Sequence, residues 1–486
     1  MAVWSEISHN QALVERRWDS EYYRPEYSAI DRLLDRQKWQ PWSRLGGQFI
    51  VGPFGSTFAV ENFTPVGPYR YIRGKDVKPF FVQDDDNVYI PADHFHRLSQ
   101  YTLKQGDLLV SVVGTLGNVS VVPPEVLPAV FSCKSTAYRS SGIDPYYLCA
   151  YLNCMIGSRY LLRKQRGAVQ TGLNLEDLKS VPIPRFPHEV EEKAAQRVRD
   201  AYQRLVVSRS LYASARRILE QELGLEKVDL SHRVGYEARL SETLQARRWD
   251  GEFYKPKYQR LIDAVLRAKK VRVQTLVPVG RLISFLTNGH TPLRHDLGVG
   301  EVPFLTAEHV SDFRVDFGAD KRILRRHHES ELARTALRNG DILVTIKGKV
   351  GNCAVVRDCP ESANVNQDVA LIRPRNGVHP YFLSAWFNSL IGKQLVEQRS
   401  TGGINPFLGL GNLRGMPFPI VDPSEHKRIG DLVQATVEKA YAAERRASNL
   451  LEQAKRRVEE LIEQKAETTT HSTTFHNDAF YPAAPE

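Results

Sequence analysis

The chain says the same thing twice. RRWDSEYYRPEY, from Arg16 to Tyr27, returns as RRWDGEFYKPKY, from Arg247 to Tyr258. KQGDLLVSVVGTLGNVSVV returns as RNGDILVTIKGKVGNCAVV, with Gly106 on Gly340 and Asn118 on Asn352. DPYYLCAYLN returns as HPYFLSAWFN, Tyr146 on Tyr381, and LKSVPIP returns as LRGMPFP, Pro182 on Pro417. Matching words in one order, at a nearly constant spacing of about 230 residues, mean a tandem duplication. A unit of that length holds a domain and an appended element. Between the matched words the halves diverge: GPYRYIRGKDVKPFFVQDDDNVYI has only a loose counterpart in GEVPFLTAEHVSDFRVDFGADKRI. A shared frame with divergent loops suits two modules that recognise different targets, and drift after duplication looks the same.

Each unit mixes strands and helices. DLLVSVV and NVSVVP flank GTLG, and DILVTI and NCAVVR flank KGKVG. These β-branched runs around glycine turns predict a hairpin in each half. YYLCAYLNCMIGSRYLLRKQ and YFLSAWFNSLIGKQLVEQR predict a short amphipathic helix in each.

Each unit then ends in a long helix. Residues Glu189 to Leu223 contain no Gly or Pro, and Val198, Leu205, Tyr212 and Leu219 recur every seven residues beside a stripe of Ala194, Ala201, Ser208 and Ala215. From Lys427 to Ala466 a second seam runs through Val433, Val437, Ala440, Ala447, Leu451, Ala454, Val458 and Leu461. Heptad seams of this kind pair, and large residues on one against alanines on the other interdigitate. The two helices are therefore expected to pack on each other, each about 50 Å long. The tail ETTTHSTTFHNDAFYPAAPE is expected to be disordered. The expected fold is mixed α/β (α+β). Its segments are a domain over 1–187, a helix over 188–228, a second domain over 229–423, a second helix over 424–467 and the tail 468–486.

Composition narrows the partners. The net charge is +10, which suits a polyanion. No apolar stretch reaches membrane-spanning length, and the start MAVWSEISHNQALVERRWD has no secretory pattern. Cys133, Cys149, Cys154, Cys353 and Cys359 are odd in number and form no Cys-x-x-Cys pair, which argues for a reducing, cytoplasmic setting without disulfide framework or zinc site.

Catalytic words are weak. NPFLGLG, Asn405 to Gly411, resembles the methyl-donor loop of S-adenosylmethionine-dependent methyltransferases, but its order and context are wrong, so it is read as a decoy. Gly114 to Gly117 and Gly348 to Gly351 lack the following Gly-Lys-Ser/Thr of a phosphate loop. RRHHESE, Arg325 to Glu331, lacks zinc-protease spacing, and Asp84 to Asp86 read as a solvated turn. No catalytic and no metal-binding residue is assigned. Arg17, Arg248, Lys255 and Lys257 of the RRWD segments touch phosphate in one reading. In the other, Trp18, Tyr22, Tyr23 and Pro25 pack at the start of the domain. Aromatic–proline clusters favour the second.

GPFGSTF at Gly52 to Phe58, TNGHTP at Thr287 to Pro292, the paired Gly-Asp hairpins, and the PIP and PFP exits before long helices together resemble the specificity subunit of type I restriction–modification enzymes. The likeness covers nearly the whole chain, although GPFGS occurs only in its first half. It implies two target-recognition domains, each reading one part of a split double-stranded DNA site. It also implies that the helices form an antiparallel coiled coil that spaces the domains and recruits two modification subunits, with restriction subunits joining them. Methyl transfer from S-adenosylmethionine and ATP- and Mg-dependent cleavage would belong to those partners, leaving this chain non-catalytic and without a cofactor. The resemblance carries over no base-contacting residue. Candidate DNA contacts in the divergent loops are Arg70, Arg73, Lys75 and Lys78 in the first half, and Arg294, His295, Lys347 and Lys349 in the second. Two other classes stay open, a fused or cryptic nuclease, against which the missing carboxylate cluster argues, and an interaction scaffold without a DNA role; a subunit serving a fused methyltransferase–nuclease of a related restriction class is the runner-up.

Overall fold

The computed structural model describes residues 6–53, 60–83, 86–167, 171–226, 228–231, 235–268, 270–292, 300–318 and 321–464. The expected tail, Arg294, His295, Asp84, Asp85 and most of GPFGSTF lie outside them. The chain divides into two compact units, one made of residues 1–205 and 445–486, the other of 206–444. Each long helix therefore contributes one half to each unit.

The duplication is legible in the strand order. The N-terminal unit has a sheet in the order Gln48–Val51, Ser135–Arg139, Leu108–Ser111, Val119–Val121, Phe80–Phe81. The second unit repeats its first four places with Ile283–Asn288, Val369–Pro374, Ile342–Thr345 and Cys353–Val355. A smaller sheet orders Tyr89–Ile90, Tyr69–Ile72 and Ala129–Phe131, the last two parallel. Its counterpart orders Arg322–Ile323, Val302–Leu305 and Asn364–Val365, again with the last two parallel. The expected hairpins are present, with Leu108 opposite Val121 and Ile342 opposite Val355. Their turns put Gly114 and Gly117, and Gly348 and Gly351, at φ between 79° and 91°, where a Cβ is disfavoured.

An ion pair between a buried aspartate and a half-buried arginine pins the hairpin base in each unit. Arg139 donates Nε and Nη2 to the Asp107 carboxylate at 2.9 and 2.7 Å, and Asp107 also accepts from the Lys104 backbone N–H. Arg373, Asp341 and the Arg338 N–H repeat the arrangement. The Asp of the repeated Gly-Asp word is thus a structural anchor.

Where one amphipathic helix was expected in each unit there are two. Pro145–Asn153 and Met155–Arg163 are separated at Cys154, and Pro380–Asn388 and Leu390–Arg399 at Ser389. The first helix of each pair is buried nearly all round rather than on one face. The break is capped from within: Ser389 Oγ accepts the Gly392 N–H at 3.0 Å. Gly157 and Gly392 let the second helix approach the first, since a Cβ on Gly392 would lie 1.8 Å from the Trp386 carbonyl oxygen.

The RRWD segments clamp these helices. Arg17 reaches the Lys164 and Gln165 carbonyls at 3.3 and 2.8 Å, and Arg248 the Arg399 and Ser400 carbonyls at 3.3 and 3.1 Å. Lys257 is buried against Glu397. The arginines, Tyr22 and Tyr23 therefore pack, but the tryptophans do not: Trp18 is 67% exposed and Trp249 71%.

The long helices, His188–Leu223 and Pro423–Glu463, pair antiparallel within both units. In the N-terminal unit Ala194, Val198 and Tyr202 share a core with Ala454, Val458 and Ile462. In the second, Ala215, Ile218 and Leu219 share one with Ile429, Val433 and Val437, and Tyr212 Oη meets Glu444 Oε2 at 3.4 Å. Val198, Leu219, Val433, Ala440, Ala447 and Ala454 are buried, while Leu205, Tyr212 and Leu451 are half-buried. At the far end the inward residue is Ile462 rather than the expected Leu461. The helical period of 3.6 residues drifts from a strict heptad over this length. Ile462→Ala should therefore cost about 2–4 kcal/mol of stability and Leu461→Ala clearly less, as urea denaturation of the two variants will measure.

The first turn of the C-terminal helix carries a half-buried histidine. The His426 ring stacks on Phe382 at 4.3 Å between centroids, and its Nε2 accepts the His379 backbone N–H at 2.9 Å. Burial, with the neighbouring His379 ring, lowers the His426 pKa from 6.5 to about 4. The neutral ring is the form that fits, so its contribution is present above pH 6.5 and is lost as pH falls towards 4. His426→Gln keeps an acceptor but cannot titrate; thermal melts across that window should show a flatter pH dependence than the wild type.

Candidate nucleic-acid interface

In each unit three loops gather beside the hairpin turn to make a cluster of four, and main-chain bonds hold them there. In the N-terminal unit they are 73–78, 112–118, 132–134 and the described part of 166–173. In the second they are 306–311, 346–352, 366–368 and 401–408. The Val112 N–H donates to the Lys134 carbonyl at 2.9 Å, and the Ile346 N–H to that of Asp368 at 2.8 Å. The Val112 carbonyl accepts from the Leu173 N–H, as that of Ile346 does from the Leu408 N–H. The Ile72 carbonyl accepts from the Ser132 N–H, and that of Leu305 from the Asn366 N–H. A side-chain tie is also duplicated: Asn118 Nδ2 donates to the Val77 carbonyl and Asn352 Nδ2 to that of Val310, both at 3.1 Å.

The two clusters share geometry and differ in chemistry. Lys75, Lys78 and Lys134 in the first unit fall where Glu308, Ser311 and Asp368 stand in the second. Conversely, Lys347 and Lys349 on the second hairpin turn occupy the places of Val113 and Thr115. In the second unit the fourth loop, closed by a bridge between Thr401 and Phe407, also exposes Ile404 almost completely. Loops on a rigid sheet can vary in this way because the scaffold does not use their side chains.

The expected contact residues separate into classes. Arg70 is only 4% exposed and lies in the strand Tyr69–Ile72. Arg73 donates Nε and Nη2 to Asp76 at 2.9 Å each; burial disfavours its charge, but the Asp76 and Asp86 carboxylates outweigh this and hold its proton more firmly than usual. Arg73 holds the first loop, while Arg70, in the strand before it, donates to the Gln83 carbonyl. Lys75 is exposed and bridges to Asp86 at 2.8 Å. Lys78, Lys347 and Lys349 are exposed on the loops themselves. Arg294 and His295 lie outside the described residues.

Lys134 was missed because SCKS reads in sequence as an ordinary turn. Only the fold sets it beside the first loop, where a Cβ on Gly74 would come within 2.7 Å of its Cβ. RRHHESE is held by hydrogen bonds: His327 Nδ1 meets Glu331 at 2.5 Å and His328 meets the buried Asn364. NPFLGLG spans the fourth loop of the second unit and the start of the short helix Leu410–Arg414. Among the described residues no group of three His, Cys, Asp or Glu side chains is placed to hold a metal ion, and no helix is long and apolar enough to cross a membrane.

No protein-family pattern matches the chain. It is 27% identical over 143 residues to the type I restriction enzyme EcoBI specificity subunit of Escherichia coli. That alignment takes in 29% of this chain and 30% of the length of that relative. Among solved structures, the S subunit of a type I restriction–modification system from M. genitalium is 14% identical, with 87% of this chain and 96% of that chain covered and a TM-score of 0.40. The HsdS subunit from Thermoanaerobacter tengcongensis is also 14% identical, with 88% and 97% covered and a TM-score of 0.27.

The asparagine tie is testable by substitution. Asn352→Ala removes its bond to the Val310 carbonyl and the one its Oδ1 accepts from Lys393 Nζ at 3.3 Å. It should cost about 1–2 kcal/mol and speed amide exchange across 306–311 while leaving the strand Ile342–Thr345 protected.

Proposed function

We propose that this chain is the DNA-reading specificity subunit of a type I restriction–modification system. The observation that carries the reading is the duplicated loop cluster, one geometry holding two different chemistries. A bipartite target demands that arrangement, because each half-site needs the same mode of approach to the double helix and a different set of groups for its bases. The Escherichia coli relative, itself a specificity subunit, supports it, as does the net charge of +10.

In this reading 1–187 and 229–423 are target-recognition domains, and 188–228 and 424–467 are the helices that set the gap between half-sites. Lys75, Lys78 and Lys134 contact phosphate or base edges in one domain; Lys347 and Lys349, with Arg294 and His295, do so in the other. Arg73 acts by shaping the first loop, and Arg70 by its place inside the unit. The chain itself transfers no methyl group and cuts no strand. Modification subunits bring S-adenosylmethionine, restriction subunits bring ATP and Mg chemistry, and the assembly works in the cytoplasm.

Selection of duplexes from a random library by the chain, alone and with its modification subunits, tests the reading. The expected product is two short motifs at a fixed gap; recovery of no common motif overturns it. Lys78→Ala, Lys134→Ala, Lys347→Ala and Lys349→Ala should each weaken binding to all sequences alike. A lysine on phosphate should lower the slope of log affinity against log salt by about one. Unchanged affinity and slope in all four would remove these loops from the interface.

A further inference from the structure

The loops differ between the units, yet one exposed surface is the same in both. Each copy of the repeat carries a short helix, His9–Glu15 or Leu240–Ala246, followed by the RRWD word. Trp18 and Trp249 stand out from it, flanked by Leu13 at 52% exposure and Leu244 at 58%. The Trp18 ring lies 5.6 Å from that of His9, which is one helical turn from Leu13, and Leu240 and Leu244, 65% and 58% exposed, stand at the corresponding places of the second copy; exposed apolar side chains grouped in this way mark an interaction site more than a solvated surface.

The backbone is set to present them. Arg16 and Arg247 adopt φ of 50° and 52°, the left-handed region that a residue with a Cβ seldom enters. The next residue, Arg17 or Arg248, turns in to the helix carbonyls and takes two hydrogen bonds from its guanidinium to Asp19 or Asp250, all between 2.6 and 2.7 Å. The tryptophan lies between the clamped arginine and its aspartate. Arg247 is the left-handed C-cap of Leu240–Ala246, and Arg16 stands at the same place after His9–Glu15, so one kind of helix ending delivers both tryptophans to the same position. Rigid aromatic anchors of this kind serve as interface hot spots.

The chemistry around the indole selects the class of partner. Asp19, Glu21, Asp250 and Glu252 are all substantially exposed carboxylates. Arg24 pairs with Glu21 and Lys255 with Glu252, so these cations are already matched. An apolar centre with a rim of both signs fits a protein surface and disfavours a phosphate backbone. Because the presentation is alike in the two units, the partner is one kind of chain bound twice.

We infer that the Trp18–Leu13 and Trp249–Leu244 surfaces each dock one copy of the modification subunit, the indole filling an apolar pocket on that subunit. This rests on the specificity-subunit reading, and it assigns the recruiting surface to the start of each copy of the repeat in addition to the long helices.

The test uses the full chain produced with a type I adenine-methyltransferase subunit from the same genome. Native mass spectrometry should find two methyltransferase chains on the wild type, one on Trp18→Ala, one on Trp249→Ala, and none on the double variant at concentrations that saturate the wild type. Loss of a hot-spot tryptophan should weaken each site by about 30-fold or more. Hydroxyl-radical footprinting of the wild-type complex should protect Trp18 and Trp249, a readout that needs no variant. Melting temperature and selected half-sites should not change, since both side chains lie on the surface. Retention of two methyltransferase chains by the double variant, or unprotected indoles in the complex, would overturn the inference. So would a double variant that keeps its partner and loses DNA, which would give the surface to nucleic acid. Failure of the underlying reading shows separately, in a wild-type chain that selects no bipartite duplex and binds no methyltransferase.

Discussion

Main-chain hydrogen bonds between the hairpin turn and its neighbouring loops are the constraint on which the rest depends. The bonds from Val112 to Lys134 and from Ile346 to Asp368 are indifferent to the side chains of the residues that make them. A lysine and an aspartate therefore occupy one backbone position in the two units without moving the frame. Below the turn, the Asp107–Arg139 and Asp341–Arg373 pairs anchor the strands, and these side chains are common to both copies. Removing one partner of such a pair leaves a charge without compensation, so neither position is free to vary. The molecule thus separates residues that must stay from residues that can change, and the changeable ones lie where a target would be read.

The long helices obey a related logic. Alanine at 440, 447 and 454 leaves room for larger side chains from the facing helix, and each is fully buried. Their pairing contributes to the cores of both units. The helices are consequently part of each domain as well as a connection, which ties any change in their length to the stability of the units they enter.

The fold class, the hairpins and the helix seams were legible because each leaves a periodic trace: alternation in strands, sevens in the seam, and the repetition itself. Where the trace failed, a tertiary contact had replaced it. The single amphipathic helices became broken pairs because close approach at Gly157 and Gly392 buries the first helix nearly all round. Ile462 displaced Leu461 from the seam by accumulated drift. Arg70 looked like a contact because an arginine in a basic stretch ordinarily faces solvent, yet its strand lies inside the unit. Trp18 and Trp249 looked like core because aromatic–proline clusters ordinarily bury area; a left-handed residue just before the clamped arginine turned them outward.

By itself, then, the sequence determined that there are two copies of one mixed unit, that two long helices pair, and which words belong to the frame. These properties follow from local periodicity and from repetition, which need no knowledge of neighbours in space. Tertiary structure alone decided which cations are spent inside the protein and which reach solvent, that Lys134 joins Lys75 and Lys78, and that the conserved tryptophans of the repeat stand outside. Each of those outcomes turns on contacts between residues far apart in the chain, and burial, unlike periodicity, is a property of the whole.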